Sequence, residues 1–238
     1  MTVVRVLILA GAVLLSGCVL ALTLLPASLL LGAWVPAGAT VLAGSSVTRG
    51  SAIFSAAGVG SDMVEWHWCP RHGLRTFCIR SSGPTGHLAL QLTPGFGAVA
   101  VDEVEMRGVD PALFGFQSPL WAARINGAID TLHFRPIDDC WVPVLDGPPS
   151  TLALSDVRIW GRRVADHQLF LAPATSDLGV AELSGPVATG EWRLAPTRTV
   201  VGRLRVTPDP VLARHLSLLV RQQDGQFVLE SREPFPCR

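Results

Sequence analysis

The order of hydrophobic and polar residues divides the chain into a short N-terminal part and a long body. Residues 6–25 form an unbroken apolar run between Arg5 and Pro26, and none of them is charged. A helix of about 20 residues that rises 1.5 Å per residue spans about 30 Å, the thickness of the hydrocarbon core of a bilayer. The run therefore predicts a single transmembrane helix that anchors the rest of the chain.

Two other interpretations of this segment stay open. A cleaved secretory signal has an apolar core of about 7–15 residues and then a site of small residues; Ala37-Gly38-Ala39 is such a site, although the apolar run is longer. Leu15-Ser16-Gly17-Cys18 has the form of a bacterial lipobox, but residues 19–25 stay apolar where a lipidated cysteine usually opens a polar tether. The uncleaved anchor fits the length of the run best.

The basic residues around the run indicate its orientation. Arg5 directly precedes it, and the next basic residue is Arg49. Because the cytoplasmic flank of an anchor carries the excess of Lys and Arg, the N-terminus is predicted inside and the body outside. We therefore expect a single-pass protein of the bacterial inner membrane with a periplasmic body. The predicted organisation is a cytoplasmic N-terminus (1–5), the anchor (6–25), a membrane-proximal segment (26–60) and a β-rich periplasmic domain (61–238).

The body has the pattern of short strands separated by turns. Residues 64–68, 87–92 and 201–206 alternate or are rich in β-branched and aromatic side chains, and Gly, Pro, Ser and Asp interrupt such runs at short intervals. This pattern is typical of an antiparallel sandwich, barrel or curved sheet. Similar stretches at 65–70 and 191–196 suggest two repeated β-units.

Two segments of the body depart from the strand pattern. Asp110-Pro111 and Asp209-Pro210 each place an Asp cap before a Pro, which is a helix start. We expect one turn of helix after the first and a short helix over 209–219 after the second. The predicted fold is thus mainly β: one N-terminal transmembrane helix, then an antiparallel, curved, half-barrel-like sheet with one or two short helices.

Composition argues against nucleic-acid binding and against catalysis. Nineteen basic residues, all Arg, balance nineteen acidic ones, so no net field attracts nucleic acid. The chain contains no Gly-x-Ser-x-Gly pentad, and without Lys it cannot form a phosphate-binding loop of the usual kind. We expect no enzyme activity, no catalytic residue, no cofactor and no metal.

Four cysteines of the body predict disulfides. Cys69, Cys78, Cys140 and Cys237 are an even number in an oxidising compartment, and four cysteines allow three pairings. We predict Cys69–Cys78, across a loop rather than a tight hairpin, because bridged Cα atoms lie about 4.4–6.8 Å apart. Cys140 and Cys237 would then fasten the C-terminal tail to the body.

The same region allows a zinc site as an alternative. His67, Cys69, His72 and Cys78 are a ligand set that zinc accepts, and they lie close together in the sequence. The spacing lacks a C-x-x-C knuckle, and thiols outside the cytoplasm are usually oxidised. The disulfide is therefore the preferred interpretation.

Aromatic residues provide the candidate interaction face. Trp66 and Trp68 lie two apart in a predicted strand, and hence on one of its faces. That face can be part of the core, or it can bind a partner or an acyl chain together with Trp160, which lies in an Arg-rich stretch.

Several of these motifs resemble the protein N family of the type II secretion system. They are the end of the anchor at 25–31, the Gly-rich stretch at 43–52, the Trp66-x-Trp68-x-Pro70 strand, the strand pair at 83–92 and the closing segments at 209–219 and 224–229. The resemblance implies an inner-membrane component of the general secretion pathway whose periplasmic β domain binds other secretion subunits. The alternative function is an envelope protein that holds or passes a lipid or another hydrophobic ligand in a β trough.

Overall fold

The structure of the protein is a computed structural model. It describes residues 39–42, 45–56, 60–70, 73, 75–95, 97–111, 121–137, 140–159, 161–207, 222–223 and 226–234. Three predicted features lie outside these ranges: the anchor at 6–25, the helical turn after Pro111, and the helix at 209–219. Within them, there is no helix that could span a bilayer.

The described residues form antiparallel strands, so the prediction of a mainly β chain is confirmed. The chain divides into two compact units, unit 1 (Met1–Pro84) and unit 2 (Thr85–Arg238). The strands of unit 1 are β1 (Ala39–Val41), β2 (Arg49–Ala56), β3 (Gly60–Trp68) and β4 (Phe77–Gly83). Those of unit 2 are β5 (Gly86–Pro94), β6 (Val99–Val109), β7 (Trp121–Ile137), β8 (Cys140–Val144), β9 (Ser150–Ile159), β10 (Arg162–Arg163), β11 (His167–Ala172), β12 (Gly179–Ser184), β13 (Ala188–Leu194), β14 (Thr199–Val206), β15 (Gln222–Gln223) and β16 (Gln226–Pro234).

Unit 1 is a meander in which each strand pairs with the next. In its register Trp66 of β3 lies opposite Gly50 of β2 and Ile79 of β4. Because side chains alternate along a strand, Asp62 and Val64 share the face of Trp66, which is the more buried face, and Met63 points to the exposed one.

Unit 2 pairs its strands in the order β5-β6-β7-β9-β11-β12-β13-β14-β16-β15, while β8 pairs with the end of β7 and β10 with β9. The long strand β7 pairs with β6 along one edge and, along the other, with β9 through residues 121–127 and with β8 through residues 133–137, with register shifts in its pairing with β6 and with β9. One such irregularity in the neighbouring strand β6 lies near Glu103, whose φ is 49°. Bulges of this kind bend a strand and re-aim its side chains.

The core of unit 2 lies on one face of its sheet. One buried cluster is built from Val101, Val104, Met106, Val109, Ile129 and Leu152. A second is built from Ala188, Val206 and Phe227. Leu169 of β11, packed on the first cluster, lies opposite Leu183 of β12, packed on the second. The two clusters therefore belong to one continuous apolar face.

Candidate functional site

The last strands of unit 2 carry mostly apolar side chains on one side and mostly charged side chains on the other. In β13 and β14, Trp192 lies opposite Gly202 and Gly190 opposite Leu204, and Leu204 in turn lies opposite Leu229 of β16. Strand alternation places these side chains on the same side as the two buried clusters. We call this side of the sheet, between Leu169 of β11 and Leu229 of β16, the apolar face.

Trp192 lies flat on the apolar face over two glycines. A Cβ built at Gly202 would be 2.1 Å from Cδ1 of the indole, and one built at Gly190 would be 2.6 Å from its Cη2. Only hydrogen at both positions leaves room for the ring. A large aromatic side chain can thus cover backbone that glycine leaves bare.

The opposite side of the same strands, the charged face, carries ion pairs. Arg193 Nε donates a hydrogen bond to Glu191 at 2.6 Å, and Arg203 Nε lies 3.4 Å from a carboxylate oxygen of Glu230. The hydrogen bond with Glu191, and the charge of that carboxylate, raise the pKa of Arg193. Such exposed pairs add little to stability, but they keep the charged face in water.

The described strands of unit 2 all belong to one hydrogen-bonded sheet. On its apolar face Leu229 is 38 % exposed, while Phe227 is buried. The sheet can bind apolar groups of a ligand or partner on one side and water or charged groups on the other.

The two tryptophans of the candidate interaction face differ in environment. Trp66 is half-buried and donates a hydrogen bond from Nε1 to the carbonyl of Ser46 at 3.1 Å. A Cβ at Gly50 would lie 2.4 Å from its Cζ2, so its ring lies against the backbone of β2. Trp68 is 43 % exposed. Trp160 lies outside the described residues.

The cysteines lie at the end of β3, at the start of β4 and in β8. Cys69 and Cys78 form a disulfide with their Cα atoms 5.8 Å apart. The loop between them is held by backbone hydrogen bonds from Cys69 to Thr76 at 2.9 Å and from Thr76 to Gly73 at 3.1 Å. Cys140 is buried and disulfide-bonded, and its predicted partner Cys237 lies outside the described ranges.

The sequence alone does not single out the residues that shape the apolar face. Trp192 lies in the repeated stretch at 191–196, and Gly202 lies in the predicted strand at 201–206. A Gly-x-Trp sequence is a faint signal of a ring lying over glycine, but the second glycine comes from the next strand. Its role becomes visible only when the register of β13 and β14 is known.

Comparisons of the chain with protein-family models, with curated proteins and with solved structures find no match.

Proposed function

We propose that the chain is a non-enzymatic component of the bacterial type II secretion pathway. In this proposal residues 6–25 anchor it in the inner membrane, and the periplasmic β body binds other secretion subunits. The motifs shared with the protein N family and the length of the apolar run support this assignment. The structural observation that carries it is the two-faced sheet of unit 2, because a broad sheet with one apolar and one charged face is suited to binding rather than to catalysis.

Two surfaces are available for subunit binding in this proposal. The apolar face offers side chains such as Leu229. In unit 1, β1 pairs with β2 alone among the described strands, so its outer edge offers backbone groups for strand addition. Charged side chains on the opposite side of the unit 2 sheet would limit binding to one orientation.

A second candidate function is favoured by the apolar face itself, on which Leu229 is 38 % exposed. A lipid or another hydrophobic ligand would bury this face as a protein partner would. The predicted curvature of the sheet into a half-barrel would wrap the apolar face around an acyl chain. In that case the protein holds or passes a hydrophobic ligand across the envelope.

The two functions can be separated by purifying the full-length protein from its host in a gentle detergent. Proteins and lipids of the same eluate are both identified by mass spectrometry. A matched pair of variants shows which face is used: Leu229→Glu puts a charge on the apolar face, and Val201→Glu puts one on the charged face at a residue that is 46 % exposed.

Secretion subunits that copurify with the wild type and with Val201→Glu, but not with Leu229→Glu, are the expected result. A stoichiometric lipid without those subunits, lost only in Leu229→Glu, would overturn the secretion assignment in favour of the ligand trough. If both variants keep the same partners as the wild type, the apolar face is not the binding surface.

A further inference from the structure

Three side chains that can bind a metal ion converge where β3 and β4 meet the loop between them. His67 lies directly opposite Cys78 in the register of the two strands, and Cys69 follows His67 by two residues. Alternation along a strand therefore brings all three to the same side of the sheet. An imidazole nitrogen and the two Sγ atoms lie within 4.8 Å of one another.

Backbone hydrogen bonds hold these residues in place independently of the disulfide. The amide of Trp68 donates to Thr48 at 2.7 Å, which fixes the end of β3 on β2, and the amide of Cys69 donates to Thr76 at 2.9 Å. His67 also pairs with Arg49 in the register of β2 and β3. Reduction of the disulfide would therefore leave the two thiols close to each other and to the imidazole.

We propose that the reduced form of this hairpin end binds one Zn²⁺ ion through Cys69, Cys78 and His67. Zn–S bonds of about 2.3 Å and Zn–N bonds of about 2.0–2.1 Å in a tetrahedral site separate the ligand atoms by about 3.5–3.8 Å. The imidazole nitrogen lies within 4.8 Å of both sulfur atoms, and breaking the bond between the sulfurs lets them move apart to this spacing. Because His67 is exposed, the fourth position faces solvent and can hold water.

The disulfide and the metal are alternative states of the same two sulfur atoms. A dithiol reductant gives two electrons and two protons to the Cys69–Cys78 bond, so that two thiols form while the reductant becomes a disulfide. Each thiol loses its proton when it binds Zn²⁺, because the thiolate is the ligand. A disulfide oxidant that takes two electrons from the two thiolates, and two protons from water, becomes a dithiol; the Cys69–Cys78 bond forms again and the ion is released. This inference does not depend on the proposed function.

The test uses the detergent-solubilised full chain, reduced with a phosphine and kept free of oxygen, with Co²⁺ as the probe. Thiolate ligands give a sulfur-to-cobalt charge-transfer absorption, and Zn²⁺ added afterwards displaces Co²⁺. We expect one thiolate-bound Co²⁺ per reduced chain and none per oxidised chain. His67→Gln should weaken binding at least about tenfold, while His87→Gln, the same replacement in β5, should leave it unchanged.

Cysteine variants show which sulfur atoms hold the ion. Cys78→Ser should lower the charge-transfer absorption strongly, and Cys140→Ser should not. Equal binding by wild type, His67→Gln and His87→Gln would overturn the proposal, as would binding that the oxidised chain retains. If Cys78→Ser does not fold, the two histidine variants still decide, because both keep the native cysteines. Zn²⁺ should also slow reoxidation of the wild type, but not of His67→Gln.

Discussion

Nε2 of His167 accepts a hydrogen bond from the backbone amide of Ala188 at 3.2 Å, while its Nδ1 lies 2.7 Å from the carbonyl oxygen of Ala165. Since a carbonyl can only accept, the proton of the imidazole is on Nδ1, and Nε2 is free to accept. The side chain is 4 % exposed. One neutral imidazole thus ties the start of β11 to the start of β13, on the side of the sheet that carries the apolar face.

Replacing His167 by Ala should lower the free energy of unfolding by about 1–3 kcal/mol, because it leaves the buried amide of Ala188 without its acceptor. Denaturant unfolding monitored by circular dichroism measures this difference. His133→Ala is the comparison, since Nδ1 of His133 lies 2.6 Å from a carboxylate oxygen of Asp146 near the surface, and this replacement should cost less than about 1 kcal/mol. Equal losses in the two variants would show that the Ala188 bond is not what His167 contributes.

Gly185 should be coupled to His167. A Cβ at Gly185 would lie 2.0 Å from Cδ2 of the imidazole, and the ring cannot move away without breaking its two hydrogen bonds. Gly185→Ala should therefore destabilise the wild type by about 1–3 kcal/mol and should cost clearly less when His167 is already Ala. Unfolding of the wild type, the two single variants and the double variant gives the coupling free energy, expected at about 0.5–3 kcal/mol. Strictly additive losses would contradict the contact.

On the apolar face, Trp192 likewise requires glycine at position 202. Gly202→Ala should displace the indole from its position over β14 and lower the free energy of unfolding by about 1–3 kcal/mol. Val201→Ala changes the neighbouring residue on the charged face and should stay within about 0.5 kcal/mol. Denaturant midpoints measure both effects. The emission of Trp192, isolated as the difference between each protein and its Trp192→Phe counterpart, should move towards that of a solvated indole only in Gly202→Ala.

The sequence was sufficient to predict the β architecture, because strand alternation and turn residues are local signals. Segments such as 64–68 and 201–206 lie in β3 and β14. The contacts of Gly202 with Trp192 and of Gly185 with His167 could not be predicted, because they depend on which residues face each other across strands. Register is set by the whole sheet, and a shift of one residue would exchange its two faces.

The Trp66–Trp68 pair shows the same limit at a candidate site. Spacing alone places both rings on one face and cannot say which ring is covered. In the structure β2 and Ser46 cover Trp66, while Trp68, at the end of the strand, is 43 % exposed. The environment of a side chain depends on the neighbouring strands, which the local sequence does not describe.

We therefore expect opposite results from the two tryptophans. Trp66→Phe loses the hydrogen bond to Ser46 and should lower the free energy of unfolding by about 0.5–1.5 kcal/mol. Trp68→Phe, at a residue that is 43 % exposed, should cost less than Trp66→Phe. If unit 1 contributes to partner binding, copurification of partners should fall in Trp68→Ala and persist in Trp66→Phe; the reverse order would assign binding to the buried ring.

The ion pair of Glu105 and Arg107 on β6 allows a prediction on pH. The hydrogen bond and the charge of Arg107 lower the pKa of the Glu105 carboxyl, with a smaller contribution from His87. Arg107→Gln should raise this pKa towards its usual range, as followed by NMR titration of the Glu105 side chain, and Arg193→Gln, on a distant strand, should not. A lowered carboxyl pKa adds stability above the unfolded-state pKa and loses it as the pH falls through the folded-state value. Because both side chains are exposed to water, the unfolding midpoint of Arg107→Gln at neutral pH should match that of the wild type; a large loss would mean that the pair is shielded from solvent.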